Sequence, residues 1–202
     1  MSRRRRDSTT AFPTHAGSTQ PLTADDIGHV AGRWVNEGTR IIFVGSEAGH
    51  RLRYYLQESQ SSAPKAISPE NIVFDRYADP IVISPDGKSL AAAILDKEIQ
   101  MIPIEGGEPR SIPGTAGLAP VAWCGDGGIL IYLPGEIPAQ VLRVDLKTGG
   151  QRPWKQLVPP DPTALGMLAP IRIAADCESY AYTAQYDPSR LFVISGAAFR
   201  RI

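Results

Sequence analysis

The sequence predicts an all-β fold, a β-propeller or partial propeller of about four four-stranded blades, and three observations carry that prediction. From Leu22 onward the chain is a succession of short apolar runs, among them "RIIFVG", "LRYYLQ", "IQMIPI", "ILIYL" and "QVLRVDL", each bounded by Gly, Pro, Asp or Ser. Runs of this length, rich in β-branched and aromatic side chains, are strands rather than helices. One segment recurs in four copies, and the intervals between copies hold a further strand–turn–strand segment, so the repeating unit is two hairpins.

The elements follow in chain order. Residues 1–21 are polar, rich in Ser, Thr and Pro and without helical or strand periodicity; they are predicted to be a disordered N-terminal segment ahead of one propeller domain over 22–202. The one stretch with helical character, Ala24 to His29, lacks the length of a helix. The four copies begin at Trp34 ("WVNEGTRIIFVG"), Ile83 ("ISPDGKSLAAAI"), Trp123 ("WCGDGGILIYLP") and Ile173 ("IAADCESYAYTA"). Each has an apolar residue, a group of turn formers, a glycine position and then an alternating strand. The glycine position is Gly38, Gly87, Gly127 and Cys177, at spacings of 49, 40 and 50 residues, which are the lengths of a four-stranded propeller blade. In the second copy Pro85 fixes φ, Asp86 can accept a bond from its own downstream backbone, and Gly87 supplies a conformation that side chains disfavour. The segment is therefore a structural corner; a catalytic loop would occur once. Between copies, Gln60-Ser61-Ser62, Gly106-Gly107 and Gly149-Gly150 mark the tight turn of the second hairpin.

Composition removes several function classes. Lys+Arg and Asp+Glu are equal at 21 each, so no overall basic field points to nucleic acid and no acidic excess points to a cation store. Cys124 and Cys177 are too few and too distant for a zinc cluster or a disulfide framework, and are expected as buried thiols. No apolar run is long enough to span a membrane. Arg3 to Arg6 resembles the charged start of an export signal, but the polar "DSTTAFPTHAGSTQP" follows it, and the chain as written is expected in the cytoplasm.

The inventory of reactive groups is thin. His15, His29 and His50 are scattered, and neither a paired-histidine metal motif nor a phosphate loop is present. "GSEAG" at Gly45 to Gly49 places its serine second, unlike a nucleophile elbow, and is expected as a hairpin loop. Asp25-Asp26, and Asp75 with Asp79, are expected as solvated loop charges. Trp34 and Trp123 share one repeat position and are expected to pack between blades, whereas Trp154 is a candidate for a blade surface. No catalytic, cofactor-binding or metal-binding residue is predicted, and no enzyme activity is expected.

The wording of the corners resembles the WD40-like (PD40) repeats of TolB-like propellers, with "SPDGKSL" at Ser84 to Leu90 and "GGEPRSIPG" at Gly106 to Gly114 carrying the nearest likeness. The order of "LTADDIGHVAGRWVNEGTRIIFVGSEAG", "RYYLQ", "KAISPE", "DPTALGM" and "CESYAYTAQYDPSRLFVISG" is similar to the carboxy-terminal propellers of bacterial membrane-anchored serine/threonine kinases. The likeness covers about Leu22 to Gly196. It implies a non-enzymatic module whose loops and central channel accept a protein or peptide, as the sensor or interaction part of a larger signalling protein in a periplasmic or extracellular setting. The alternatives are a truncated remnant without its own function, and the propeller of a serine peptidase lacking its catalytic domain. Because fewer units are legible than such propellers carry, the flanking blade faces bearing "IIFV" and "LFVI" are expected to lack partners and to drive self-association.

Overall fold

The computed structural model describes residues 10–11, 20–21, 25–35, 38–58, 62–74 and 81–188, and among them there is no α-helix. Within the segment expected to be disordered, Thr10–Ala11 (β1) and Gln20–Pro21 (β2) pair antiparallel; the rest of residues 1–21 lies outside the described residues.

The repeat sets the architecture. The first unit is β3 (Gly28–Val35), β4 (Arg40–Ser46), β5 (Arg53–Gln57) and β6 (Lys65–Ala66); the second is β7 (Val82–Ile83), β8 (Ser89–Ala92), β9 (Gln100–Pro103) and β10 (Arg110–Ser111); the third is β11 (Ala119–Trp123), β12 (Ile129–Tyr132), β13 (Ala139–Val144) and β14 (Gln151–Leu157). Each is an antiparallel meander in chain order. The fourth unit is described as its first hairpin, β15 (Leu165–Ile173) paired with β16 (Tyr180–Tyr186), and the residues expected to continue it, from Leu191 onward, lie outside the described residues. The stretch weighed as a helix instead runs into β3 at Gly28.

Each corner has the conformation its sequence implies. Gly38, Gly87, Gly127 and Cys177 all have positive φ, at 83, 70, 88 and 55°. In three of them the glycine-position amide bonds back three residues: Gly87 to Ser84, Gly127 to Cys124 and Cys177 to Ala174, each at 2.9 Å. The preceding aspartate caps the turn from below, with Asp86, Asp126 and Asp176 accepting from the amides of Lys88, Gly128 and Glu178. The corner from Asn36 to Glu37 lies outside the described residues.

Strand alternation then builds the core between units rather than within them. Ile42, Val44, Tyr54 and Leu56 of the first unit meet Ile81, Leu90, Ala92 and Ile102 of the second. Val82, Ala91, Ile99 and Met101 of the second meet Ile129, Ile131 and Val144 of the third. Leu130, Tyr132 and Val141 of the third meet Leu168 and Ile171 of the fourth. Each fully buried Ile or Leu contributes about 1.5–3 kcal/mol. Among the described residues, no buried cluster joins the fourth unit back to the first.

The first unit's other face departs from expectation. Ile41, Phe43 and Tyr55, which point away from the second unit, are 5, 0 and 1 % exposed rather than bare. Ile27 belongs to the same cluster, and the His29 ring stacks on Phe43 at 4.1 Å. β3 is the edge strand of this sheet, and its His29 ring, with Ile27 just before it, packs on the face that self-association was expected to use. The "LFVI" run of the last unit lies outside the described residues.

Candidate functional site

The repeat register places one side chain of every unit on a shared cleft. Five residues before the glycine position stand Arg33, Val82, Ala122 and Arg172, and all four line a cavity of about 270 Å3 where the first strand of each unit faces its neighbours. One residue later, Ile83, Trp123 and Ile173 complete the wall and also pack against the inter-unit cores. Arg33 reaches from the first unit to the second, its Nη1 donating to the Ile81 carbonyl at 2.8 Å. Arg172 is exposed and donates only within its own strand, to the Ile171 carbonyl at 3.1 Å; it has no acidic partner among the described residues. Guanidinium groups stay charged at any physiological pH. The cleft is thus apolar-walled, with one cation at each side.

A covalent tie closes one end of this arrangement. Cys124 and Cys177, expected as buried thiols, form a disulfide with a Cα–Cα distance of 5.5 Å. The stacking of the corners brings the two sulfurs together. Cys124 stands three residues before the glycine position of the third corner and Cys177 on the glycine position of the fourth, and adjacent corners are stacked, as the 2.8 Å bond from the Gly125 amide to the Ala175 carbonyl demonstrates. The sequence separation of 53 residues is therefore short in space.

The other candidate residues are dispersed. His29 bonds Asp25 at 3.0 Å on the outer face of the first unit, and His50 bonds Glu70 at 2.7 Å in a loop. Asp25 also accepts from the Ile27 amide. Glu47 to Gly49 form the loop between β4 and β5, as expected of "GSEAG". His15, Asp75, Asp79 and Arg3 to Arg6 lie outside the described residues. Trp123 packs between the second and third units, its indole Nε1 donating to Gly127 at 3.1 Å. Trp34, at the same repeat position, is instead 47 % exposed: the side on which Trp123 meets the preceding unit has, at Trp34, no described unit. Trp154 is no free surface aromatic; it meets Tyr180 edge-on at 5.9 Å across the third and fourth units, with Lys155 over the Tyr180 ring. Arg33 and Arg172 were not singled out by sequence, although the repeat alignment already put them at equivalent positions.

Three meandering units and the first hairpin of a fourth, corners of one geometry and a cleft at the convergence of the first strands define a TolB-like β-propeller fold. Comparison with solved structures agrees: TolB from Acinetobacter baumannii superposes with a TM-score of 0.60 at 19 % identity, over 87 % of this chain and 42 % of that one. A chain of the nidogen–laminin complex gives 0.55 at 10 % identity, over 82 % of this chain and 60 % of that one, and a prolyl endopeptidase gives 0.53 at 17 %, over 80 % and 26 %. The chain therefore spans less than two thirds of the length of each. No protein-family model matches the chain, and sequence comparison with curated proteins finds no match. No helix of the described residues is long and apolar enough to cross a membrane.

Proposed function

We propose that the chain is a non-enzymatic binding module that receives a protein or peptide segment in the cleft between its units, as the interaction part of a larger bacterial signalling protein. The observation that carries this is the composition of the cleft by one repeat position: Arg33, Val82, Ala122 and Arg172 come from all four units, so the site is a property of the assembled propeller. Arginine, aliphatic and indole side chains hold a ligand but move no proton, which supports binding over catalysis. A segment suited to the cleft offers an apolar side chain to Trp123 and Ile83 and a carboxylate to Arg172. The likeness to a chain of the nidogen–laminin complex adds support for a protein ligand. Disulfides persist in oxidising compartments and are rare in the cytosol, so the Cys124–Cys177 bond favours a periplasmic or extracellular setting over the cytoplasm.

Selection from a displayed random-peptide library on the oxidised chain tests the reading. Selected peptides are expected to weaken about tenfold or more when Arg172→Glu replaces a solvent-exposed cation by an anion, while the thermal midpoint stays unchanged. A library without binders, or binders indifferent to Arg172→Glu, ends it.

A further inference from the structure

A second cavity, of about 690 Å3, lies apart from the cleft, between β10 of the second unit and the β11–β12 corner and β13–β14 turn of the third. Its lining holds four cationic side chains, Arg110, Arg143, Lys147 and Arg152, against two carboxylates, Asp126 and Asp145. Both carboxylates are already engaged. The Arg143 guanidinium grips Asp126 through both oxygens and holds its carboxyl below the usual range. Asp145 turns into its own loop, accepting from the amides of Thr148 and Lys147, which likewise hold it low. Arg110, Lys147 and Arg152 are exposed; none makes a close ion pair among the described residues, and the Lys147 side chain acts on Asp145 only through its charge.

Arg143 and Arg152 are direct partners across β13 and β14; Asp126 answers Arg143, and Arg152 beside it has no such carboxylate among the described residues, so a further anion is favoured at this like-charged pair. The Arg143 guanidinium lies over Gly128, where a Cβ would meet the far end of that side chain. We propose that this groove is a second binding site, for an acidic peptide segment carrying several carboxylates. Arginine forks match carboxylates in geometry as well as charge. A nucleic acid is disfavoured, because no aromatic side chain lines the groove as a stacking platform and the whole chain, with 21 residues of each sign, has no basic field to steer a polyanion. The site is independent of the cleft, sharing no lining residue with it.

The test is titration of fluorescein-labelled hexaglutamate into the oxidised chain, followed by anisotropy at low and physiological salt, with labelled hexalysine and a labelled oligodeoxythymidylate of equal charge alongside. Hexaglutamate is expected to bind, to weaken as salt rises, and to bind the R110Q/K147Q/R152Q variant about tenfold less tightly or worse, with Arg172→Gln without effect. A second readout guards against misfolding. Without peptide, Arg152→Gln is expected to keep or raise the thermal midpoint, since it removes a like-charge pair; with saturating hexaglutamate the parent midpoint rises and that of Arg152→Gln rises less. Undiminished binding by the triple variant, loss through Arg172→Gln, tighter binding of the oligodeoxythymidylate, or equal midpoint rises in parent and Arg152→Gln would each overturn the proposal.

Discussion

Cys177 adopts a backbone conformation that disfavours a side chain, φ 55°, at the position where the three other units place glycine. A side chain there costs on the order of 1–2 kcal/mol, and the disulfide to Cys124 is what offsets it. The sequence carried this signal, since a cysteine at a turn position built for glycine needs a reason, yet its partner stood at a different offset in the previous corner and so escaped the repeat alignment. Two variants separate the contributions. C124A/C177A is expected to lose about 2–4 kcal/mol, the usual worth of a native disulfide, whereas C124A/C177G recovers about 1 kcal/mol of it by freeing φ; urea titration of both, unreduced, measures the difference. The corner aspartates give a second expectation. Asp86 is held below the usual carboxylate range chiefly by the Ser84 hydroxyl, and Asp176 by the amides of Glu178 and Ser179. A folded-state pKa below the unfolded one means stability that is present above about pH 4 and lost as pH falls through the depressed value. The thermal midpoint is therefore expected to be level from neutral pH down to about pH 5 and to drop below about pH 4, less steeply in D86N/D176N. A parallel drop in that double variant would remove the corners from the acid response.

At the scale of the element, the units hold together through groups that strand patterns do not reveal. Thr115, fully buried after β10, accepts from the Ile99 amide at 2.9 Å and donates to the Ile112 carbonyl at 2.6 Å, pinning the last connection of the second unit to its third strand. Thr115→Val keeps the volume but orphans the buried Ile99 amide, so a loss of about 1–3 kcal/mol is expected, with Thr115→Ser close to the parent; equal denaturant midpoints for Val and parent would refute the role. Arg40, at the start of β4, spans the first two units, with Glu58 at 2.7 Å and Glu105 at 2.5 Å. Strands and corners were legible because periodicity and turn chemistry are local. Contacts such as Arg40 to Glu105, or Trp154 to Tyr180, depend on which hairpins stack, and that is written only in three dimensions. The same limit explains Trp34 and Trp123: one repeat position predicts one orientation, but the neighbour that receives the side chain is present for Trp123 alone among the described residues.

At the scale of the molecule, stability is a row of nearest-neighbour interfaces, and the fourth unit is described as two strands with Tyr180 and Tyr186 40 and 43 % exposed. The bridge ties the corner of that unit to the third, beside the core that Leu168 and Ile171 share with it. Reduction is expected to strip hydrogen-exchange protection from β15 and β16 while β8, β9, β12 and β13 keep theirs; uniform loss across all units would mean the propeller melts as one body. The bridge also has a mechanical meaning. It short-circuits the 53-residue separation between Cys124 and Cys177, about 180 Å of extended backbone, so tension applied at the two ends of the chain passes through the sulfur–sulfur bond and never reaches β12, β13, β14 or β15. Pulled in a force microscope, the oxidised chain is expected to stop short of the reduced chain by that length, and strands inside the loop, including the walls of the basic groove at Arg143 and Arg152, stay slack under a load that unravels the first two units.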